Sequence, residues 1–434
     1  MTGAVKETIY KAAFQSRIAE ANQPAWLIEL REKAFADFAS NGFPTPSNEE
    51  WKYTNIAAVT DGSWSIAGDA SEGFSSLIFS ECDDSVLVFR NGSFSKSDSR
   101  LSALGDAIVL TFNEALADRK YSSVLESKLG SLIDFDKNGF TALNTAFIED
   151  GAFIFLPRNS KVTAPIQMLF VSDDSTASFP RVLIVAEEFA EATFIESYLR
   201  NSEIGYFTNP VVEVSLAAEA KIRHFRVQRD SHVAFNIGAT GAEVEKGSVY
   251  DSTNINLGAK LSRHEIAIRF NAEGGEVFAD GLYMIGEDQH HDTHSLIDHR
   301  VPNCVSHQSY KGVVDGKARA VFNGKILVRE NASGTDGYQS NKNLLLSNDA
   351  RVDTKPQLEI FNDDVKCAHG ATVGQLEDEE LFYLLSRGLN EKLARNLLTY
   401  GFAEEVINKI DVDSVKKQLD ESVLNRLNAD FGGR

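Results

Sequence analysis

Apolar positions along the chain fall into three successive patterns. In the first, Trp26, Leu27, Leu30, Ala34, Phe35 and Phe38 recur at helical spacing, and Gly42 then Pro44 end the run. Ser47-Asn48-Glu49-Glu50 reads as a capping box that opens a turn or short helix through Trp51 and Tyr53. Val86-Leu87-Val88-Phe89 followed by Asn91-Gly92 predicts a strand entering a tight turn. Leu110 to Leu132 returns to helical spacing.

The second pattern begins near residue 150. Short β-branched or aromatic runs follow one another, many with period two: Ala152–Leu156, Val182–Val185, Ala192–Ile195, Val211–Val214, Ile222–Val227 and His264–Phe270. Small residues such as Gly247-Ser248, Gly274-Gly275 and Gly316 separate them. Strand density over so long a stretch, with almost no helical run, predicts a parallel β-helix, although no letter-for-letter repeat is visible. After Val373 the helical pattern returns. Glu377-Asp378-Glu379-Glu380 sets acid at a helix start, Leu381, Leu384 and Leu385 form a stripe, and Arg387-Gly388 ends it. A second helix starts near Asn390, with Gly401 either ending it or tolerated within it. Val415, Leu419, Val423 and Leu427 predict a last one. The expected domains are 1–145, mostly helical; 146–373, the β-helix; and 374–434, helical.

Composition narrows the function. The chain has 434 residues, with 43 Lys plus Arg against 63 Asp plus Glu, a formal net charge of −20. Nucleic acid and anionic membrane are poor partners for such a surface. No apolar run approaches the ~20 residues of a membrane span, and the N-terminal stretch has no signal-peptide core, so a cytoplasmic location is expected. Cys82, Cys304 and Cys367 form no CxxC pair, which speaks against a structural zinc site and a disulfide framework. Cys82 lies among acids that disfavour its thiolate, and Cys304 reads as a small buried hydrophobe. P-loop, GxSxG and HExxH signatures are absent.

Five of the nine histidines fall between residues 290 and 307. In a strand, His290, Asp292 and His294 share one face that a divalent metal could use, as in a cupin-like enzyme. A ladder of hydrogen-bonded histidines on a β-helix is the preferred reading. Cys367 and His369, at i and i+2, also share a face, with Cα atoms about 7 Å apart, and could meet one soft metal or cluster edge. Lys366 beside the cysteine is expected to favour its thiolate. On spacing alone the plainer account prevails: a structural cysteine beside a capping histidine.

Longer motifs change that balance. His291-Asp292-Thr293-His294-Ser295, Ser309-Tyr310-Lys311-Gly312 running on to Lys325-Ile326, Thr354-Lys355-Pro356-Gln357-Leu358-Glu359-Ile360 and Val365-Lys366-Cys367 resemble the SufB/SufD family of iron–sulfur cluster assembly proteins. So do His369-Gly370-Ala371-Thr372-Val373-Gly374-Gln375-Leu376 and Leu381-Phe382-Tyr383 and, upstream, Glu50-Trp51-Lys52-Tyr53-Thr54 and Leu143-Asn144-Thr145-Ala146-Phe147. Gly370 stands where the SufB branch carries a Glu, so the likeness is to the other branch. Ala332-Ser333-Gly334-Thr335-Asp336-Gly337 departs from the family's usual Ala-Gln-Lys-Thr-Asp-Ala turn.

The resemblance implies a right-handed parallel β-helix between two helical domains. It implies a non-catalytic scaffold that pairs with SufB, each subunit binding a copy of the ATPase SufC. Apart from the resemblance, an open β-helix end would allow the chain alone to pair as a homodimer, and sulfur-donor proteins act only indirectly. No tightly bound cofactor is implied, only a transient iron–sulfur cluster at the SufB interface. His369 becomes the expected cluster ligand or proton-transfer group and transient metal site, with Cys367 secondary. Leu381, Phe382 and Tyr383 become the expected ATPase contact. A SufB-type paralogue, a cupin-like metalloenzyme and a β-helix carbohydrate-active enzyme are the competing readings.

Overall fold

The computed structural model describes residues 7–66, 73–173, 175–200 and 203–427. Residues 1–6 and 428–434, at the outer ends of the expected first and last domains, lie outside the described residues. The chain is mainly β, and its centre is a solenoid of about eight turns. From Ala152–Leu156 onward, successive long strands alternate between two sheets. Each strand pairs in parallel with the equivalent strand of the next coil, as His290–His299 pairs with Arg319–Val328.

The coils repeat in backbone conformation, not in letters. Asn159, Phe189, Glu219, Gly247, Gly274, Asn303 and Gly334 all adopt left-handed φ at corresponding corners. Their spacing drifts, from 30 residues between Asn159 and Phe189 to 27 between Gly247 and Gly274. Links such as Phe189 N–H to Ala218 O and Asn303 N–H to Ser333 O tie each corner to the next. Gly334, within the segment that departs from the family turn, has φ 69° and donates to Asp364 O. A side chain there would be both strained and pressed onto Asn303.

Both faces of the middle sheets are covered, which explains their near-continuous apolar runs. Val211–Leu216 is buried at every position. One outer face carries the N-terminal helices, through Phe38, Trp51, Phe140 and Phe147. The other carries Glu391–Ile407 and Asp413–Arg426, whose Val406, Ile407, Leu419 and Val423 pack on Ile255, Leu282 and Val313. Gly401 is tolerated inside the first of these helices. The lumen is aliphatic in early coils and turns polar in later ones. There Asn254 bonds Tyr310 Oη at 3.2 Å and Asn341 bonds Tyr283 Oη at 3.2 Å. Among the described residues, no helix is long and apolar enough to cross a membrane.

The two solenoid ends differ. The early end is closed by antiparallel strands, Ser93–Arg100 on Val86–Arg90 and Ile108–Thr111 on Ala152–Leu156. Ser93–Arg100 carries Lys96, Asp98 and Arg100 and a register irregularity, which blunt an edge. The late end is bare. Arg351–Ile360 and Val365–Gly374 each have a strand on one side only.

Local differences from the expected pattern have local causes. Asn48 does not cap the turn Glu49–Trp51; its side chain accepts from Thr45 instead. The stretch after Leu110 is a strand end followed by two short helices, Phe112–Ala117 and Arg119–Lys128, broken at Asp118, which caps the second. Helix Glu7–Ala19 was not anticipated from periodicity, because among its described side chains only Tyr10 and Phe14 are buried.

Leu419 is fully buried in the seam between the last helix and the solenoid. Leu419→Ala is expected to lower unfolding free energy by about 2–5 kcal/mol, read from urea denaturation. A loss under about 1 kcal/mol would show that the helix does not depend on this seam.

Candidate functional site

Cys367 and His369 lie on the last strand, Val365–Gly374, at the bare end. Register places Cys367 over Gly337 and His369 over Gln339. Gln339 and the next lumen residue in its strand, Asn341, are buried, so Cys367 and His369 sit on the lumen side of the final coil. Among the described residues, no further coil covers them. Cys367 is half-buried and packs with Ile326, Leu358 and Val365. His369 is exposed.

The expectation that Lys366 favours the Cys367 thiolate is corrected. Burial, with the Asp336 carboxylate adding to it, raises the thiol pKa. Alternate strand residues face opposite ways, so Lys366 is turned from the cysteine that it follows. Cys82 is pushed up to about 12, by burial first and then by Glu81 and Asp83. Cys304 is buried, and its thiol donates to the Pro302 carbonyl.

The two strands at the bare end are unlike as docking edges. Arg351–Ile360 carries Arg351, Asp353, Lys355 and Glu359 and contains Pro356, which has no N–H to donate. Val365–Gly374 contains no proline, and Lys366 is its one permanent charge. Three residues later comes helix Asp378–Ser386, on which no residue is buried. Phe382 is 72% exposed and Tyr383 55%, with Leu381 intermediate, while the helix packs on Glu391–Ile407.

The 290–307 histidines divide by face. His291 and His299 are buried in the lumen, and burial pushes them down to about 3 and about 4, so both stay neutral. His291 bonds Ser262 and Thr293 at 2.9 Å each, as a ladder would. His290, Asp292 and His294 do share the outer face, but that face is locked to the N-terminal segment. Thr54 Oγ1 lies 2.8 Å from His290 Nε2 and donates to Asp292. Arg263 is also fully buried; it pairs with Asp292 and with Glu265 at 2.7 Å, and its guanidinium lies 3.7 Å over the Trp51 ring. Among the described residues, no group of three or more His, Cys, Asp or Glu is arranged to hold a metal ion. The cupin-like reading therefore finds no site. His307 lies outside this network, half-exposed and 3.6 Å from Asp336.

His294 is the clamp between the two parts. Its Nδ1 lies 3.3 Å from Glu50 and its Nε2 3.1 Å from Asp292. Burial opposes charge on this ring, yet the Asp292 carboxylate and the two hydrogen bonds outweigh it and raise the pKa. Burial likewise opposes the Asp292 carboxylate, but Arg263 and His294 hold its pKa well below the ordinary range. The second upstream motif is equally structural. Asn144 donates to Pro180 O and Asn209 O, and accepts from Arg181, which pairs with buried Glu213 at 2.6 Å. Arg263 and Glu213 were not singled out by motif reading. Glu213 was detectable only as a lone charge in the apolar run Val211–Leu216, and Arg263 gave no such signal, because His264, Glu265 and Arg269 share its strand.

Residues 169–402 match the family described as SUF system FeS cluster assembly, SufBD core domain, and residues 6–168 match the SufBD protein N-terminal region. A Synechocystis iron–sulfur cluster assembly SufBD family protein is 36% identical, over 95% of this chain and 94% of its own. The Escherichia coli iron–sulfur cluster assembly protein SufD is 30% identical, over 89% and 90% respectively. The Bacillus subtilis protein of the same name is 29% identical, over 98% and 99%.

The His294 clamp sets a pH dependence. Its pKa is raised on folding above the ordinary histidine value of about 6.5, so its stabilisation is full below that value and is lost as pH rises through the folded-state pKa. The stability gap between the wild type and His294→Gln should shrink as pH rises from 6 to 9, measured by urea unfolding. A gap that is constant or grows would contradict a charged clamp.

Proposed function

The chain belongs to the SufBD family of iron–sulfur cluster assembly proteins, and on that premise we propose that it is the SufD-type scaffold subunit of a Suf assembly complex. In this reading it pairs with SufB, each of the two binds a copy of the ATPase SufC, and a nascent cluster forms at the SufB interface. Residues 1–145 brace the solenoid, 146–373 form it, and 374–434 bind the ATPase. The complex is cytoplasmic, and this subunit carries out no catalysis of its own.

One observation supports the reading above others. The unblunted edge strand at the bare end is the strand that carries His369 on its lumen side. A second chain that adds to this edge satisfies its free backbone groups and closes over the histidine in one step. SufB is the partner we assign; without it, two copies of this chain pair through the same edge.

Iron and sulfur are cargo here. His369 is the ligand from this side: an imidazole binds iron without adding negative charge to the growing cluster. Cys367 is secondary, because burial and Asp336 keep its thiol protonated. Sulfur arrives on SufB. Hydrolysis in SufC moves helix Asp378–Ser386, and the three-residue link passes that motion to the strand bearing His369. Helices Glu391–Ile407 and Asp413–Arg426 are fixed to the solenoid by their apolar seam. Exposed Phe382 and Tyr383, with half-buried Leu381 beside them, are the ATPase contact.

Co-expression of this chain with SufB and SufC tests the assignment. His369→Ala should leave the three-subunit complex intact and abolish cluster formation, read by the visible absorbance and acid-labile sulfide of the purified complex. Wild-type cluster yield would refute the ligand role. Phe382→Asp with Tyr383→Asp should remove SufC from this subunit while SufB still co-purifies. Retention of a full SufC complement would refute the contact.

A further inference from the structure

Beneath the exposed histidine, the side-chain oxygen of a buried amide, Gln339, lacks a partner. Gln308, Gln339 and His369 occupy one row of three successive coils, each directly paired with the next. Ser295 meets the row from the opposite sheet. Gln308 Nε2 donates to Ser295 Oγ at 2.8 Å, and Gln339 Nε2 donates to Gln308 Oε1 at 2.7 Å. Ser295 Oγ also donates to Gln308 Oε1 at 3.1 Å; an amide offers one acceptor atom and one donor atom, so the bond to Gln308 uses Gln339 Nε2 and leaves Oε1 as the remaining polar atom of that amide. Gln339 Oε1 is left at the end of the ladder. It is buried and has no hydrogen-bond partner, in a residue with no solvent exposure. Unpaired buried carbonyl oxygens are uncommon and call for a reason.

We propose that Gln339 is a positioning residue for His369: its side-chain oxygen takes the N–H of one ring nitrogen, so that the other presents its lone pair at the bare end. Register neighbours on one face are about 4.8 Å apart, within reach of a side-chain rotation. A neutral imidazole has one donor and one acceptor nitrogen, and the partner of the first decides which is free for a metal. Metal-binding histidines commonly give their second N–H to a carbonyl or carboxylate for this reason. Cys367 has no such support, because the residue beneath it is Gly337. The use made of the free nitrogen rests on the reading of His369 as the cluster ligand; the bond itself does not.

The test uses the full chain labelled with 15N-histidine, with His369→Ala to assign the signal. Spectra are taken about two pH units above the ordinary imidazole value. In the wild type, one His369 nitrogen should resonate as protonated and the other as unprotonated. Gln339→Met keeps the volume and removes the acceptor, and should draw the two shifts together. Gln339→Glu keeps an acceptor and should restore their separation. Gln339→Leu replaces the Met variant if thermal unfolding shows that variant to be misfolded. In the complex with SufB and SufC, the Met variant should hold iron(II) about 10-fold more weakly and the Glu variant should recover. Identical His369 shifts in the wild type and the Met or Leu variant would overturn the proposal, whatever happens to cluster yield. Shifts that respond as expected, in a protein whose His369→Ala variant still assembles clusters, would uphold the positioning role and refute the ligand role instead.

Discussion

A parallel solenoid must end somewhere, and its last coil keeps a row of backbone N–H and C=O groups that no neighbour satisfies. The organisation of this molecule follows from how it treats its two ends. At the early end the chain folds antiparallel strands over the problem, and one of them is charged and irregular. At the late end it does nothing of the kind on the strand Val365–Gly374. The adjacent edge, Arg351–Ile360, is defended by four charges and Pro356. Of the two strands at the late end, Val365–Gly374 is the one left without proline or a spread of charges, and His369 is on it.

The rest of the structure holds that edge in place. The His294 clamp and the buried Arg181–Glu213 pair fix the N-terminal helices to one sheet. The apolar seam fixes two C-terminal helices to the other. A buried ion pair adds little net stability, since desolvation offsets attraction. Its effect is on register: removing one partner strands the other. The family motifs around residues 50 and 144 are accordingly joints. Between the final coil and the exposed helix Asp378–Ser386 lie three residues, short enough for force on the helix to reach the strand.

Much of this was legible in the sequence. Strand density from residue 152 indicated a β-helix, and the stripe Val415, Leu419, Val423 indicated the helix that buries those residues. The coils were not countable, because their corners share a left-handed φ that Phe189, Glu219 and Gly247 reach with unlike side chains. The box around Ser47 failed because Glu50 is drawn to His294 across the domain contact, beyond the reach of local pattern. Lys366 misled because sequence adjacency is the wrong measure in a strand. Gln339 gave no signal: one glutamine in a polar run becomes notable only when three coils stack it beneath a histidine.

Amide hydrogen exchange of Val365–Gly374 measures the central claim most directly, comparing the chain diluted to monomer with the same chain after SufB is added. Pairing at the bare edge should slow exchange across this strand at least about 10-fold, since each newly bonded N–H must open before it exchanges. Unchanged exchange in Val365–Gly374, with protection appearing elsewhere on the solenoid, would contradict the claim that this edge brings His369 to the cluster.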